Sequence, residues 1–303
     1  YKQVQGLGYS LDPSYAKLFT QSGETSPEII FAVRYEGPGM SEGAAFNAHW
    51  NTPLEAMNGT IDLADAYYCK DGKPTTDTKI AELNGGGGLD VSKPNPAHFE
   101  NRDPRLYSTL FVPGMLWNGK GGIDTSASNP YANVYGGAAA SLSTVYVYKY
   151  FDPTDTSNSW DNGQDFYVVR YAEVLLSLAE AMVQKGGYAY SDVTALVNEV
   201  RQRADVNMPT VEEVEGTSLS KDELLEVIKH ERRVELAFES SRMFDRYRWK
   251  EMDKAVANIE NERTMYGLAY EARKFNGERD YVWPLPTAEL DTNKKLVQHD
   301  LWK

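Results

Sequence analysis

The sequence predicts a mainly α protein in which a loop-rich front part with short strands precedes a run of helices. Two observations carry this. Most of the 24 glycines and 14 prolines fall before residue 165, and these residues punctuate turns. After that point apolar residues recur at helical spacing. The chain is therefore read as residues 1–165, loop-rich, and residues 166–303, helical, forming one structural unit. A hydrophobic content of 41% and a charged content of 25% over 303 residues suit a folded globular chain. No apolar run approaches the ~20 residues of a membrane-spanning helix. The chain begins at Tyr1 without an apolar leader segment, and reads as a processed chain or an excised piece.

In order along the chain, Glu28 to Tyr35 reads as a strand. Gly85-Gly86-Gly87-Gly88 is a loop tip without the Lys and Ser/Thr of a phosphate-binding loop. Leu142 to Tyr150 alternates like a second strand, with Thr144, Tyr146 and Tyr148 on one face and Val145, Val147 and Lys149 on the other. Asn158 to Asp165, with Asp152 and Asp155, is an acidic loop lacking the calcium-loop order, and reads as solvated.

Tyr171, Val174, Leu175, Leu178 and Met182 form an apolar stripe that Gly186-Gly187 ends. Val193, Leu196, Val197 and Val200 form a second stripe. Residues 170–203 thus read as a helix–turn–helix of the ~34-residue length of a tetratricopeptide-like unit, which needs neighbours to bury its faces. Ser220 and Glu223 form a capping box that opens a third helix, predicted to run through Leu236 and Phe238 toward Trp249. On it Glu231, Glu235 and Glu239 recur at i, i+4 and i+8. A line of carboxylates repels itself unless cations answer it; Arg170, Arg201, Arg203, Arg232 and Arg242 are the available partners.

The chemistry is bounded by composition. A formal charge of −13 repels phosphate, which argues against nucleic acid and anionic lipid as partners. One cysteine, Cys69, excludes an intrachain disulfide and a multi-cysteine metal site, and His49, His98, His230 and His299 lie too far apart for a local histidine site. No metal or cofactor is expected. Aromatic residues make up 12% of the chain, many beside Asn, Gly and Ser, a setting that suits stacking on the apolar face of a sugar. The glutamate line admits a glycosidase acid/base pair as an alternative. A catalytic pair comes more naturally from two elements lining a cleft, so an Arg–Glu network that pins helices is the preferred reading.

Seven blocks in order then resemble the C-terminal region of the SusD/RagB family of nutrient-binding outer-membrane lipoproteins. They are Ser26-Pro27-Glu28-Ile29-Ile30-Phe31; Asp65-Ala66-Tyr67-Tyr68 with Asp71-Gly72; Phe99-Glu100-Asn101-Arg102-Asp103-Pro104-Arg105-Leu106 with Pro113-Gly114; and Arg170 to Leu176 with Ala179-Glu180-Ala181. Asn198 to Ala204, then Glu231 to Glu239 with Arg242, Asp245 and Trp249, and Pro284-Leu285-Pro286 with Glu289, Asn293 and Gln298 complete the series.

The resemblance implies a SusD-like fold and non-catalytic capture of an oligosaccharide, delivered at the cell surface to a SusC-like, TonB-dependent transporter. It also implies an upstream half, rich in tetratricopeptide-like helices, carrying a lipidated cysteine. Some relatives handle peptides, so a peptide-binding or tetratricopeptide-like interaction module stands as a further alternative. The family's shared blocks are structural. Arg102, Asp103 and Arg105 are expected to tie loops to helices alongside Arg170, Arg201, Arg203, Glu231, Arg232, Glu235, Glu239 and Arg242. Ligand contacts are expected from loops: Phe46, Asn47, His49 and Trp50, with Trp160 as a second exposed ring. These combine stacking rings with fixed polar groups, as a sugar requires. Trp117 is expected to be structural.

Overall fold

The computed structural model describes residues 4, 6–37, 59–77, 79, 81–83, 85, 89–112, 114–115, 145–152, 161–256 and 274–303. The chain forms two compact units, Tyr1–Ser240 and Ser241–Lys303. The change of texture near residue 165 lies inside the first.

In the first unit, β1 (Ile29–Val33) pairs antiparallel with β6 (Phe166–Arg170), Ile29 opposite Arg170 and Val33 opposite Phe166. Two further short antiparallel pairs are β2 (Ala81–Leu83) with β3 (Leu89–Pro94), and β4 (Leu110–Phe111) with β5 (Tyr146–Val147). The strand expected over Leu142–Tyr150 is thus only two residues long among the described positions. Tyr150 takes φ 65 and turns the chain away. Val145, Val147 and Lys149 are nevertheless all buried, as the alternation predicts. Short helices α1 (Tyr15–Leu18), α2 (Ile61–Ala66) and α3 (Arg105–Thr109) connect these pieces.

The helical part begins directly from β6. Helices α4 (Tyr171–Lys185) and α5 (Tyr190–Arg201) form the antiparallel pair read from the sequence, followed by the short α6 (Val211–Val214) and by α7 (Lys221–Glu235). Leu175, Leu176, Ala179 and Val183 of α4 pack with Val193, Val197 and Val200 of α5 and with Leu224 and Ile228 of α7 in one core. Each fully buried Leu, Val or Ile contributes about 1.5–3 kcal/mol. The buried line on α4 is turned from the predicted stripe. Val174 and Leu178 are only partly buried, and with Val169, Glu173 and Ser177 they line an open groove of about 400 Å³.

The capping box at Ser220 is present, the Glu223 amide reaching the serine hydroxyl at 3.3 Å. Gly186 follows α4 at φ 78 with nothing near the position of a Cβ. Gly186→Ala is therefore expected to lower stability by about 1 kcal/mol, through backbone strain alone, readable as a small fall in Tm. A second cluster gathers Tyr15, Leu18, Phe19, Tyr150, Tyr167, Val206 and Met208.

The second unit contains α8 (Ser241–Arg248) and α9 (Thr287–Thr292). Tyr247, Phe275 and Tyr281 meet edge to face at 4.8–6.2 Å. Gln298 grips Leu285 from both sides, its Oε1 accepting from the Leu285 amide and its Nε2 donating to the Leu285 carbonyl, both at 3.0 Å.

Candidate functional site

The described part of the chain is organised around a buried charge network where β1, β6, α3, α5 and α7 meet. Glu235 is its centre. Its Oε1 accepts from Arg170 Nη1 at 2.6 Å and Arg203 Nη2 at 2.9 Å, and its Oε2 from Arg105 Nη1 at 2.9 Å. One turn earlier, Glu231 accepts from Arg105 Nη1 at 2.6 Å and Arg201 Nε at 2.8 Å. Glu28, at the mouth of β1, holds Arg170 Nη1 at 2.7 Å and Arg203 Nη1 at 2.5 Å. Asp103 chelates Arg105, the shorter contact being 2.7 Å. Glu239 takes Arg170 Nε at 2.6 Å and Lys149 Nζ at 2.5 Å. Among the described residues the network therefore balances five cations (Arg105, Arg170, Arg201, Arg203, Lys149) against five carboxylates (Asp103, Glu28, Glu231, Glu235, Glu239).

Electrostatics follow from that packing. Burial pushes the Glu235 carboxyl up, but the guanidiniums of Arg170, Arg203 and Arg105 outweigh it and hold the group well below the usual carboxylate range. Glu231 is likewise held low against burial by Arg105 and Arg201. Burial lowers the Lys149 ammonium to about 8, with Glu239 opposing the fall. Its Nζ sits 4.2 Å from the centre of the Phe19 ring.

The third helix ends at Glu235, not near Trp249, so Glu239 does not continue its glutamate line. Phe238 and Ser240 take φ 61 and 65. The freed carbonyls are captured from the interior: Glu235 O by Arg170 Nη2 at 2.8 Å, the Tyr15 hydroxyl at 3.0 Å and Lys149 Nζ at 3.1 Å, and Ala237 O by Lys149 at 3.0 Å. These donors supply at the helix end what a C-cap usually supplies. The break is what lets Glu239 turn back onto Arg170 and Lys149.

Three expected network residues lie elsewhere. Arg102 is fully buried and donates to the carbonyls of Tyr67, His98 and Ala64 at 2.7–2.8 Å. Arg232 donates to Ser177 Oγ at 2.9 Å and lies 3.9 Å from Glu173. Arg242, in the second unit, has its guanidinium 5.9 Å from the centre of the Trp249 ring. Glu28 and Lys149 are members that sequence reasoning missed. The available signal was an acidic residue opening an apolar strand run, and a lysine on the apolar side of an alternating segment.

The acidic loop is not solvated in its described part. Asp152, Asn162, Gln164 and Asp165 are buried. The Asp165 carboxylate accepts from the Tyr35 amide at 3.0 Å and Asp152 from the Gln21 amide at 3.3 Å, so these side chains serve as backbone acceptors between loops. Among the described residues, no group of three or more His, Cys, Asp or Glu could hold a metal ion. Phe46, Asn47, His49, Trp50 and Trp160, and Trp117 with them, lie outside the described residues.

A family model described as the SusD family matches residues 27–302. SusD-like protein P2 of Formosa agariphila is 28% identical over 300 residues, covering 96% of this chain and 51% of that protein. SusD-like protein P38 of the same organism is 32% identical over 133 residues, covering 43% of this chain and 23% of that one. The fold is similar to that of a SusD-like carbohydrate binding protein from Bacteroides fragilis, with a TM-score of 0.74 and 25% identity, over 98% of this chain and 60% of that one. It is also similar, as a fold, to surface glycan-binding protein A from Bacteroides thetaiotaomicron in complex with laminarihexaose, with a TM-score of 0.54 and 21% identity over 98% of this chain and 57% of that one. The chain spans about half the length of the first of these curated relatives.

Proposed function

The chain belongs to the SusD family, and from that premise we propose that it captures oligosaccharide without transforming it, as part of a cell-surface protein that feeds a SusC-like, TonB-dependent outer-membrane transporter. The family match across residues 27–302 carries this reading. A fold neighbour in complex with laminarihexaose supports a glycan as the ligand class. In this reading the protein is held at the outer membrane by a lipid on an upstream cysteine.

The charge network supports a binding role over a hydrolytic one. A glycosidase acid needs a carboxyl whose pKa is raised and which reaches the scissile oxygen. Glu231 and Glu235 are 1% and 0% exposed and are held ionised by arginines. They brace the fold that presents the ligand loops.

Those loops are assigned to Phe46, Asn47, His49 and Trp50, with Trp160 as a further stacking ring. The test is a tryptophan-fluorescence titration against laminarihexaose, cellohexaose, maltohexaose and xylohexaose. Saturable quenching by one of them is expected, with affinity lost at least tenfold in Trp50→Ala, since stacking of a ring on a sugar is lost with the indole. Release of reducing ends by the clean protein would overturn the non-catalytic reading. Full affinity in Trp50→Ala would remove the loop assignment.

A further inference from the structure

Beside the turn at Asn101 lies a cleft of about 350 Å³, within the ~300–1,000 Å³ range of small-molecule sites. Its frame is fixed from several sides. Asn101 takes φ 54, and its carbonyl accepts from the Lys70 amide at 2.8 Å. The Tyr107 hydroxyl donates to the Phe99 carbonyl at 2.6 Å and accepts from the Arg102 amide at 3.3 Å, which locks the ring against the turn. Arg102 is itself clamped by its three buried carbonyl partners. On the opposite side Gly114 takes φ 97. A Cβ there would stand 3.3 Å from Pro96 Cβ, so the wall approaches this closely only without a side chain. The Met115 sulfur accepts from the Val112 amide at 3.4 Å and folds that segment back.

Pro96, Tyr107 and Met115 give the cleft apolar surface over the buried Phe99, and Glu100 and Asn101 give it a polar, exposed mouth. Among the described residues neither the Glu100 carboxylate nor the Asn101 amide has a hydrogen-bond or ion-pair partner in the protein. The walls and the turn are thus fixed, while the polar groups at the mouth are open to a ligand. An apolar surface beside unpartnered polar groups matches a sugar ring, whose C–H face is apolar and whose hydroxyls need partners. The carboxylate at the mouth and the net charge of −13 disfavour a uronate or sulfated sugar.

The geometry points to a second glycan subsite in this cleft, taking one neutral pyranose unit of a bound chain against Tyr107, with its hydroxyls on Glu100 and Asn101. This rests on the glycan-binding reading and adds to the Phe46–Trp50 loop a separate anchor, such as suits a ligand of several sugar units.

The test uses the full chain with the Glu100→Ala, Asn101→Gly double variant. Glycine keeps the left-handed backbone, and both side chains are exposed, so the fold should survive; an unchanged Tm confirms that. Isothermal titration with the four hexasaccharides named above is paired with hydrogen exchange of peptides covering residues 96–107. Affinity for the bound hexasaccharide is expected to fall about tenfold, the scale of one or two lost hydrogen bonds. Protection over residues 96–107 should appear on binding and vanish in the variant. Wild-type affinity should change little with added salt. Wild-type affinity in the variant, with no protection over 96–107, overturns the subsite and leaves the glycan reading standing. Failure of the wild type to bind any hexasaccharide overturns both. Affinity that collapses with salt overturns the neutral-sugar assignment.

Discussion

Replacing Glu235 with glutamine is expected to lower stability by about 3–5 kcal/mol, the usual range for breaking a buried ion pair by removing one charge. Gln keeps the shape but not the charge. Its amide carbonyl can still accept from one side, yet its NH₂ must face a guanidinium donor, whichever way it is turned, because Arg105 approaches one oxygen and Arg170 and Arg203 the other. Three buried cations lose a shared counter-charge at a site that is 0% exposed. Urea unfolding followed by circular dichroism measures the effect. Glu226→Gln is the control: that side chain is 67% exposed and pairs with Lys229 on the surface, so a change within about 0.5 kcal/mol is expected. A Glu235→Gln loss no larger than the control would remove the network from any central place in stability.

Acid should weaken the protein before its carboxylates titrate, through His230. Its Nε2 lies 2.7 Å from the Ala66 carbonyl, its ring stacks on Tyr68 at 4.1 Å, and its Nδ1 is buried without a partner. Burial, with Arg201 and Arg105 nearby, lowers its pKa to about 4 against the opposing pull of Glu231. The folded state therefore holds a neutral ring, while the unfolded chain takes up a proton from pH 6.5 downward. Stability from this group is complete above pH 6.5, falls as pH drops through the window to about 4, and is then constant. The full difference is about 3 kcal/mol. The depressed Glu231 and Glu235 act lower, their contribution present above pH 4.5 and lost below it. His230→Gln keeps an N–H donor for Ala66 and has no proton to gain. The difference in stability between wild type and variant should thus shift by about 3 kcal/mol between pH 7 and pH 4. A flat difference would show that the imidazole is not held neutral.

The local signals in the sequence were the ones that could be read directly. The Ser220 capping box, Gly186 after α4 and the apolar spacing on α5 each depend on neighbours within one or two turns. Most of the charge network was visible, Glu231, Glu235 and Glu239 with Arg170, Arg201 and Arg203 from the helical stretches, and Asp103 and Arg105 from the family's shared block. Glu28 and Lys149 were not, since their partners lie 142, 175 and 90 residues away, and no periodicity encodes such a pairing. The early end of α7 was hidden for the same reason. No glycine or proline marks it; instead its last carbonyls accept from Lys149, Arg170 and the Tyr15 hydroxyl. The acidic loop misled because carboxylates there serve backbone amides of other loops. The ring residues assigned to the ligand were chosen by chemistry alone.

The order of the network along the chain bears on how the protein is made. Arg105, Lys149, Arg170, Arg201 and Arg203 all precede Glu231, Glu235 and Glu239. During synthesis the cations emerge first, and of the carboxylates only Glu28 and Asp103 are there to meet them. Burying them at that stage would leave charges uncompensated, which is strongly unfavourable. The compensated network of the first unit therefore depends on α7, through contacts of long sequence separation. Contacts of such sequence separation slow folding. A chain that stops short of residue 231 lacks three of the five network carboxylates.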